Sequence, residues 1–179
     1  RDIGDAGRNL HAKIGDILEF ANIEAGRYPL ALERVDLAAL AQGCIDEIQG
    51  RAFSRRLKVE ATFCEPGQVR ADPGALRRIL TNLLCNAVTY TEAGGAIRLE
   101  VRFDEGGGMV TLRDSGPGFS AAEAKTAGNP FERFDRAGTV TGAGLGLAIA
   151  MELARRMGGA VLVSATGQGS VMQVRLPRL

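Results

Sequence analysis

Asn82 and Asn86 stand four residues apart in the run NLLCNA. The apolar residues around them, Leu76, Ile79, Leu80, Leu83, Leu84 and Ala87, recur at helical spacing and form one stripe. The two carboxamides therefore lie one above the other, on a face that also carries Arg78 and Thr89. Stacked amides beside a buried stripe can offer neutral oxygen ligands to a hydrated Mg²⁺, which takes few protein ligands and prefers oxygen. Taken alone, the pattern also fits a half-exposed helix bearing two polar residues. A second candidate is Asp114, which two-residue alternation puts on the same face as Val110 and Leu112. A carboxylate that continues a core face is costly unless something donates hydrogen bonds to it. Gly116 and Gly118 follow in DSGPG, where bare backbone lets a ligand come close. A strand-ending Asp in a Gly/Pro turn is the plainer alternative.

A third candidate is the stretch Gly142-Ala143-Gly144-Leu145-Gly146-Leu147, which opens a helix running through Ile149, Leu153 and Met157 to Gly158-Gly159. Glycines at every second position before a helix start leave amide hydrogens free to face phosphate oxygens, and the helix N-terminus adds to that preference. The glycine pattern is weak by itself, and the strand that precedes its dinucleotide-binding cousin is missing here.

The elements that must hold these groups are legible from period and punctuation. Asp72 and Pro73 suit the cap and first position of the helix that carries both asparagines. Residues 3 to 24 form an amphipathic helix with Ile3, Leu10, Ile14, Ile17, Leu18 and Ala21 on one side. With no partner helix in this chain, it must pack on the domain or pair with a helix from elsewhere. Gly26 and Pro29 end it. Val35 to Leu37 reads as a short strand, and Asp36 caps a helix whose buried face is Leu37, Leu40, Ala41, Cys44, Ile45 and Ile48. Leu57, Val59, Ala61 and Phe63 alternate with polar residues as a half-buried strand. Ile97 to Phe103 and Val110 to Asp114 read as strands joined by a turn at Gly106-Gly107-Gly108. Ala121 to Ala127 reads as a short helix, and Val161 to Ser164 with Val171 to Leu176 as a final hairpin.

The 179 residues suffice for one well-buried core plus an appendage. With 22 basic and 21 acidic residues, the net charge of +1 argues against a sequence-independent nucleic-acid surface. Cys44, Cys64 and Cys85 are widely spaced in apolar settings and read as reduced core thiols of a cytoplasmic protein. No apolar run reaches membrane-spanning length, so no membrane contact is expected within this chain. The chain opens with Arg1 rather than Met, as a piece of something longer would.

In order and spacing together, NLLCNA with Asn82 and Asn86, DSGPG from Asp114, PFERF from Pro130 and GAGLGLAI from Gly142 resemble the ATP-binding domain of sensor histidine kinases. The likeness runs from about Val35 to Leu176 and includes GQGS (Gly167 to Ser170) and RLP (Arg175 to Pro177). Phe20 to Gly26 is similar to the second helix of that family's dimerisation hairpin. The resemblance implies a division into a partial hairpin (1–26), a linker (27–34) and a catalytic domain (35–179). It implies an α+β sandwich of the Bergerat or GHKL type, a mixed sheet with helices on one face, with ATP between the Asn helix and a lid. By position, Asp114 accepts the adenine amino hydrogen, flanked by Gly116 and Gly118, and Tyr90 stacks on the base. Asn86 holds Mg²⁺ with Asn82 in support, and Gly142, Gly144 and Gly146 with Leu145 give the lid its hinge and its phosphate-facing amides. Phe131, Arg133 and Arg136 belong to the same site, the arginines neutralising charge on the γ-phosphate. Asn82 and Arg136 carry the catalytic roles.

Two departures lower the nucleotide affinity expected: Thr89 stands where many members have a basic residue, and Ala143 where Thr or Ser is usual. The single histidine, His11, lacks the acidic neighbour and downstream Pro of the family's acceptor motif and reads as a surface or packing residue. The phosphoacceptor is thus expected on a helix before Arg1, the next recipient is a response-regulator receiver domain, and the full-length protein pairs through the N-terminal helix. Two competitors share the fold. One is an ATPase of the gyrase, Hsp90 or mismatch-repair type, whose carboxylate base an amide at position 82 cannot replace. The other is a degenerate kinase that serves as a docking scaffold for a response regulator.

Overall fold

Two aspartates start the helices that carry much of the core. In this computed structural model, which describes residues 2–134, 144–166 and 168–178 (of residues 2–6 and 8–13 the backbone alone), Asp36 ends strand β1 (Glu33–Asp36) and caps helix α2 (Leu37–Ser54) by accepting the Ala39 N–H at 2.9 Å. Asp72 follows strand β3 (Gln68–Ala71) and caps α3 (Pro73–Tyr90) by accepting the Ala75 N–H at 2.8 Å. Its second oxygen accepts the Ala31 N–H at 2.8 Å, which ties the segment before β1 to the same point. Leu76, Ile79, Leu80, Leu83 and Leu84 are buried along α3, the stripe that the spacing predicts.

These helices pack with α5 (Gly146–Arg156) over a five-stranded sheet in the order β2-β4-β5-β7-β6, where β2 is Lys58–Phe63, β4 Ala96–Asp104, β5 Gly107–Asp114, β6 Ala160–Ala165 and β7 Ser170–Pro177. β2 runs parallel to β4 and the other pairs are antiparallel, so the sheet is mixed, as expected. Ile97, Leu99, Val101, Val110, Leu112 and Val174 point into the core, while Arg98, Arg102, Arg113 and Arg175 are exposed on the other face. A short helix α4 (Ala121–Thr126) is closed by a reciprocal box in which Ser120 and Glu123 each accept the other's N–H.

Four details differ from the sequence reading. β3 has no strong apolar signature and forms by pairing antiparallel with β1, Val35 opposite Val69. The β4–β5 turn is tighter than its glycine run suggests: Gly107 and Gly108 already belong to β5, and Asp104 closes the turn by accepting the N–H of Gly106 at 2.8 Å and of Gly107 at 3.1 Å. Beyond Val59 the inward face of β2 runs off the core, leaving Ala61 and Phe63 exposed on an edge strand. Cys64, just past it, is exposed rather than part of the core, whereas Cys44 is buried.

Helix α1 (Asp2–Glu24) meets one of the two alternatives held for it, packing on the domain, through Ile23 rather than the stripe read from the sequence. Its C-terminal end packs on the domain: Ile23 is fully buried, and the Arg156 guanidinium donates to the Ile23 and Gly26 carbonyls at 3.5 Å. Gly26 sits at φ +72°, and the Arg27 N–H reaches back to the Asn22 carbonyl at 2.9 Å, a left-handed glycine stop. One turn and more upstream, Arg78 of α3 donates to Asp16 at 2.8 Å and Glu19 at 2.7 Å. Ile14, Ile17 and Leu18 remain exposed. Among the described residues no helix is long and apolar enough to cross a membrane.

Candidate functional site

Helix α3 forms the floor of a cleft of about 310 Å³. Near its middle it meets the start of α5, where the Asn82 side-chain N–H donates to the Gly146 carbonyl at 3.0 Å. Its C-terminal end meets the turn after β5: a Cβ placed on Gly116 would lie 3.1 Å from the Tyr90 carbonyl oxygen. Asn86, Thr89 and Tyr90 line the cleft between these two ends.

Asp114 is the last residue of β5 and is half-buried. One carboxylate oxygen accepts the Gly116 N–H at 2.9 Å, and the other accepts the hydroxyl of Ser170, its cross-strand partner on β7. These donors are what allow a core face to end on a carboxylate. Each oxygen keeps a further lone pair for a ligand in the cleft. Nearby, Tyr90 is 37% exposed, and Phe119 and Phe134 meet edge to face with centroids 5.8 Å apart, forming one wall.

At the other end, α5 begins without a side-chain cap among the described residues, because the residue at the cap position is the buried Leu145. Its first-turn N–H groups therefore lack the usual Ser, Thr or Asp acceptor, and Gly144 to Leu147 line the cleft there. An uncapped helix start that opens into a cleft is a ready anion site. Gly144 holds φ +71° and packs against the chain at Phe131 and Glu132, with the Phe131 N–H donating to its carbonyl at 3.1 Å. The Asn86 amide is half-buried and has no hydrogen-bond partner among the described residues. Neutral oxygen of this kind, beside an anion site, fits a Mg²⁺ ion that arrives on a phosphate.

Of the residues singled out in the sequence, Asn86, Tyr90, Asp114, Gly118, Arg133, Gly144, Leu145 and Gly146 line this one cleft. Asn82 stands behind it, held to Gly146. Gly116 is buried beneath Asp114, and Phe131, at φ +65°, is exposed outside the lining. Arg136, Gly142 and Ala143 lie outside the described residues. The glycines after Asp114 also have a reason other than ligand approach. Gly118 holds φ +68°, and a Cβ there would lie 2.0 Å from the Gly169 carbonyl oxygen, so the neighbouring backbone requires it. Sequence reasoning missed Ser170, Arg51, Phe119 and Phe134, all of which line the cleft. Of these, Ser170 and Phe134 sat in stretches already marked, GQGS and PFERF.

Residues 71–179 match the family model described as histidine kinase-, DNA gyrase B- and HSP90-like ATPase. The chain is 33% identical over 184 residues to the non-motile and phage-resistance protein of Caulobacter vibrioides, covering 99% of this chain and 22% of that protein. It is 34% identical over 173 residues to the adaptive-response sensory kinase SasA of a Synechococcus species, covering 95% of this chain and 46% of the relative. The chain thus spans less than half the length of either. Among solved structures, full-length ShkA in complex with AMPPNP superposes with a TM-score of 0.87 at 33% identity, covering 97% of this chain and 36% of that one. The mycobacterial sensor histidine kinase MprB superposes at 0.72 with 28% identity, over 82% of this chain and 97% of its own.

Proposed function

Because the chain belongs to the histidine kinase-, DNA gyrase B- and HSP90-like ATPase family, we propose that it is the ATP-binding core of a sensor histidine kinase. In this proposal it binds Mg·ATP and passes the γ-phosphoryl group to a histidine on a helix outside this chain. The observation that carries the proposal is the convergence of Asp114, Tyr90, Asn86 and the uncapped start of α5 on one cleft.

Asp114, oriented by Gly116 and Ser170, accepts the hydrogen of the adenine amino group, while the Tyr90 ring offers a stacking face. The Asn86 oxygen is the protein ligand for Mg²⁺, with Asn82 held behind it by Gly146. When bound, the ion offsets phosphate charge and orients the phosphates. The amides of Gly144 to Leu147 face phosphate oxygens, and Arg133 and Arg136 neutralise charge that develops on the transferred group. An amide at position 82 cannot act as general base, so water is a poor acceptor and the phosphoryl group is kept for the histidine. The exposed Ile14, Ile17 and Leu18 of α1 are the surface through which the longer protein pairs with its acceptor helix and its second copy. A receiver-domain aspartate of a response regulator takes the group next, on the cytoplasmic side.

Calorimetry with a non-hydrolysable ATP analogue and Mg²⁺ tests the binding step, and transfer of label from γ-labelled ATP to a supplied acceptor hairpin tests the chemistry. Binding at micromolar to submillimolar analogue with labelling of the hairpin, and none of this chain alone, is expected. No binding at millimolar nucleotide would favour a docking scaffold, and binding without transfer would remove the kinase assignment.

A further inference from the structure

The charges around the cleft are poorly matched to a triphosphate. Asp16, Asp114 and Glu132 line it, and the cations lining it among the described residues are Arg51 and Arg133. Arg133 lies beside Phe131 and Phe134, the segment that meets Gly144. Arg51 comes from elsewhere, near the end of α2, a helix whose sequence pattern is that of a plain packing element.

The register between α2 and α3 brings it there. The two helices run side by side in the same direction: Arg77 meets Glu47, Arg51 meets Cys85 and Arg55 reaches the Thr91 carbonyl. Arg51 is therefore level with the turn of α3 that carries Cys85, Asn86 and Thr89, all of which line the cleft. That turn lies between the Asn82 end, at the α5 start, and the Asp114 end. Among the described residues the Arg51 guanidinium has one partner, the Cys85 thiol at 3.2 Å, and no carboxylate. A thiol is a weak acceptor, whereas a guanidinium has five N–H donors in a fork that matches phosphate. The nearby basic side chain of the same run is already committed, since Arg55 donates to the Thr91 carbonyl at 3.1 Å. At this level α3 itself offers no basic side chain, only the neutral Cys85, Asn86 and Thr89.

We propose that Arg51 is a phosphate-binding residue of the nucleotide cleft, supplied by α2 and selecting nucleoside triphosphate over uncharged nucleoside. The inference rests on the proposal above that the cleft takes Mg·ATP and adds a contact from a helix outside the Asn, Asp and Gly motifs. Adenosine, which has no phosphate, gains nothing from Arg51, so the residue acts on the preference between the two ligands.

The test is calorimetry of the whole chain with the Mg-bound ATP analogue and with adenosine, for the natural protein, Arg51→Met and Arg113→Gln. Arg113 lies on the exposed face of β5, and its replacement removes one positive charge far from α2. Arg51→Met is expected to weaken the ATP analogue about tenfold or more, the worth of a charge-assisted hydrogen bond, with adenosine moving less than twofold and Arg113→Gln leaving both unchanged. A loss below fivefold for the analogue, or an equal loss for adenosine, overturns the assignment of Arg51. Arg51→Gln is held to the same criterion where the Met variant does not fold. A natural protein that binds neither ligand defeats the nucleotide proposal itself, a result distinct from a natural protein that binds and an Arg51 variant that binds as well.

Discussion

Ser170 donates its hydroxyl hydrogen to one carboxylate oxygen of Asp114, 56 residues earlier in the chain, across the β5–β7 pair. The Gly116 N–H holds the other oxygen at 2.9 Å. The carboxylate is thus fixed in rotation at the edge of the cleft, with acceptor capacity left on both oxygens. Ser170→Ala is expected to cost about 1 kcal/mol of stability. It should weaken the ATP analogue a few-fold, because a carboxylate free to turn must be re-ordered on binding. Asp114→Ala removes the acceptor altogether, and a loss of about a hundredfold is expected by calorimetry. An Asp114→Ala variant that bound as the natural protein does would put adenine elsewhere.

Gly118 and Gly146 separate folding from ligand approach. At Gly118, φ is +68° and an added Cβ would lie 2.0 Å from the Gly169 carbonyl oxygen, so Gly118→Ala should cost more than about 2 kcal/mol. In a chain of this size that lowers the melting temperature by about 5 °C or more. At Gly146 the nearest atoms to an added Cβ belong to Asn82, at 3.7 Å or beyond, an ordinary contact in the first turn of α5. Gly146→Ala should leave the melting temperature unchanged or slightly raised.

Arg78 ties α1 to the domain through Asp16 and Glu19, at 2.8 and 2.7 Å. All three side chains are only partly buried, which limits the worth of the pair to about 1 kcal/mol. Arg78→Ala is therefore expected to leave the main unfolding transition nearly unchanged. Amide hydrogen exchange should become faster in the stretch of α1 around Asp16, while α3 and the sheet keep their protection. Equal acceleration throughout would mean that Arg78 supports the core instead.

The three thiols should differ in reactivity toward a disulfide reagent. Cys64 is exposed and reacts first. Cys44 is buried, and burial pushes its thiol above the ordinary cysteine range, so little thiolate is present and it reacts only on unfolding. Cys85 lines the cleft beside Arg51 and is intermediate in exposure. Saturating Mg-bound ATP analogue should slow labelling of Cys85 alone, as mass spectrometry of the labelled peptides would show. Protection of Cys64 instead would point to a nucleotide site on the sheet edge.

What the sequence by itself determined was carried by near neighbours along the chain, although one local feature, the turn closed by Asp104, escaped it. The caps Asp36 and Asp72, the apolar stripe of α3, the two-residue alternation of β4 and β5 and the glycine stop after α1 all depend on spacings within a few residues. That is why spacing alone marks Asn86 and Asp114 as candidates, whereas Tyr90 follows only from the resemblance to a family. What only the tertiary structure decided were relations set by register. Examples are Ser170 opposite Asp114, Gly118 against Gly169, β3 formed by pairing with β1, and Arg51 delivered to the cleft because α2 and α3 run parallel. Hydrophobic periodicity says which face of an element is buried but not which residue of a distant element comes to lie opposite. Partners dozens of residues apart are chosen by the sheet and helix packing as a whole, and here that packing brings separate short motifs around one cleft.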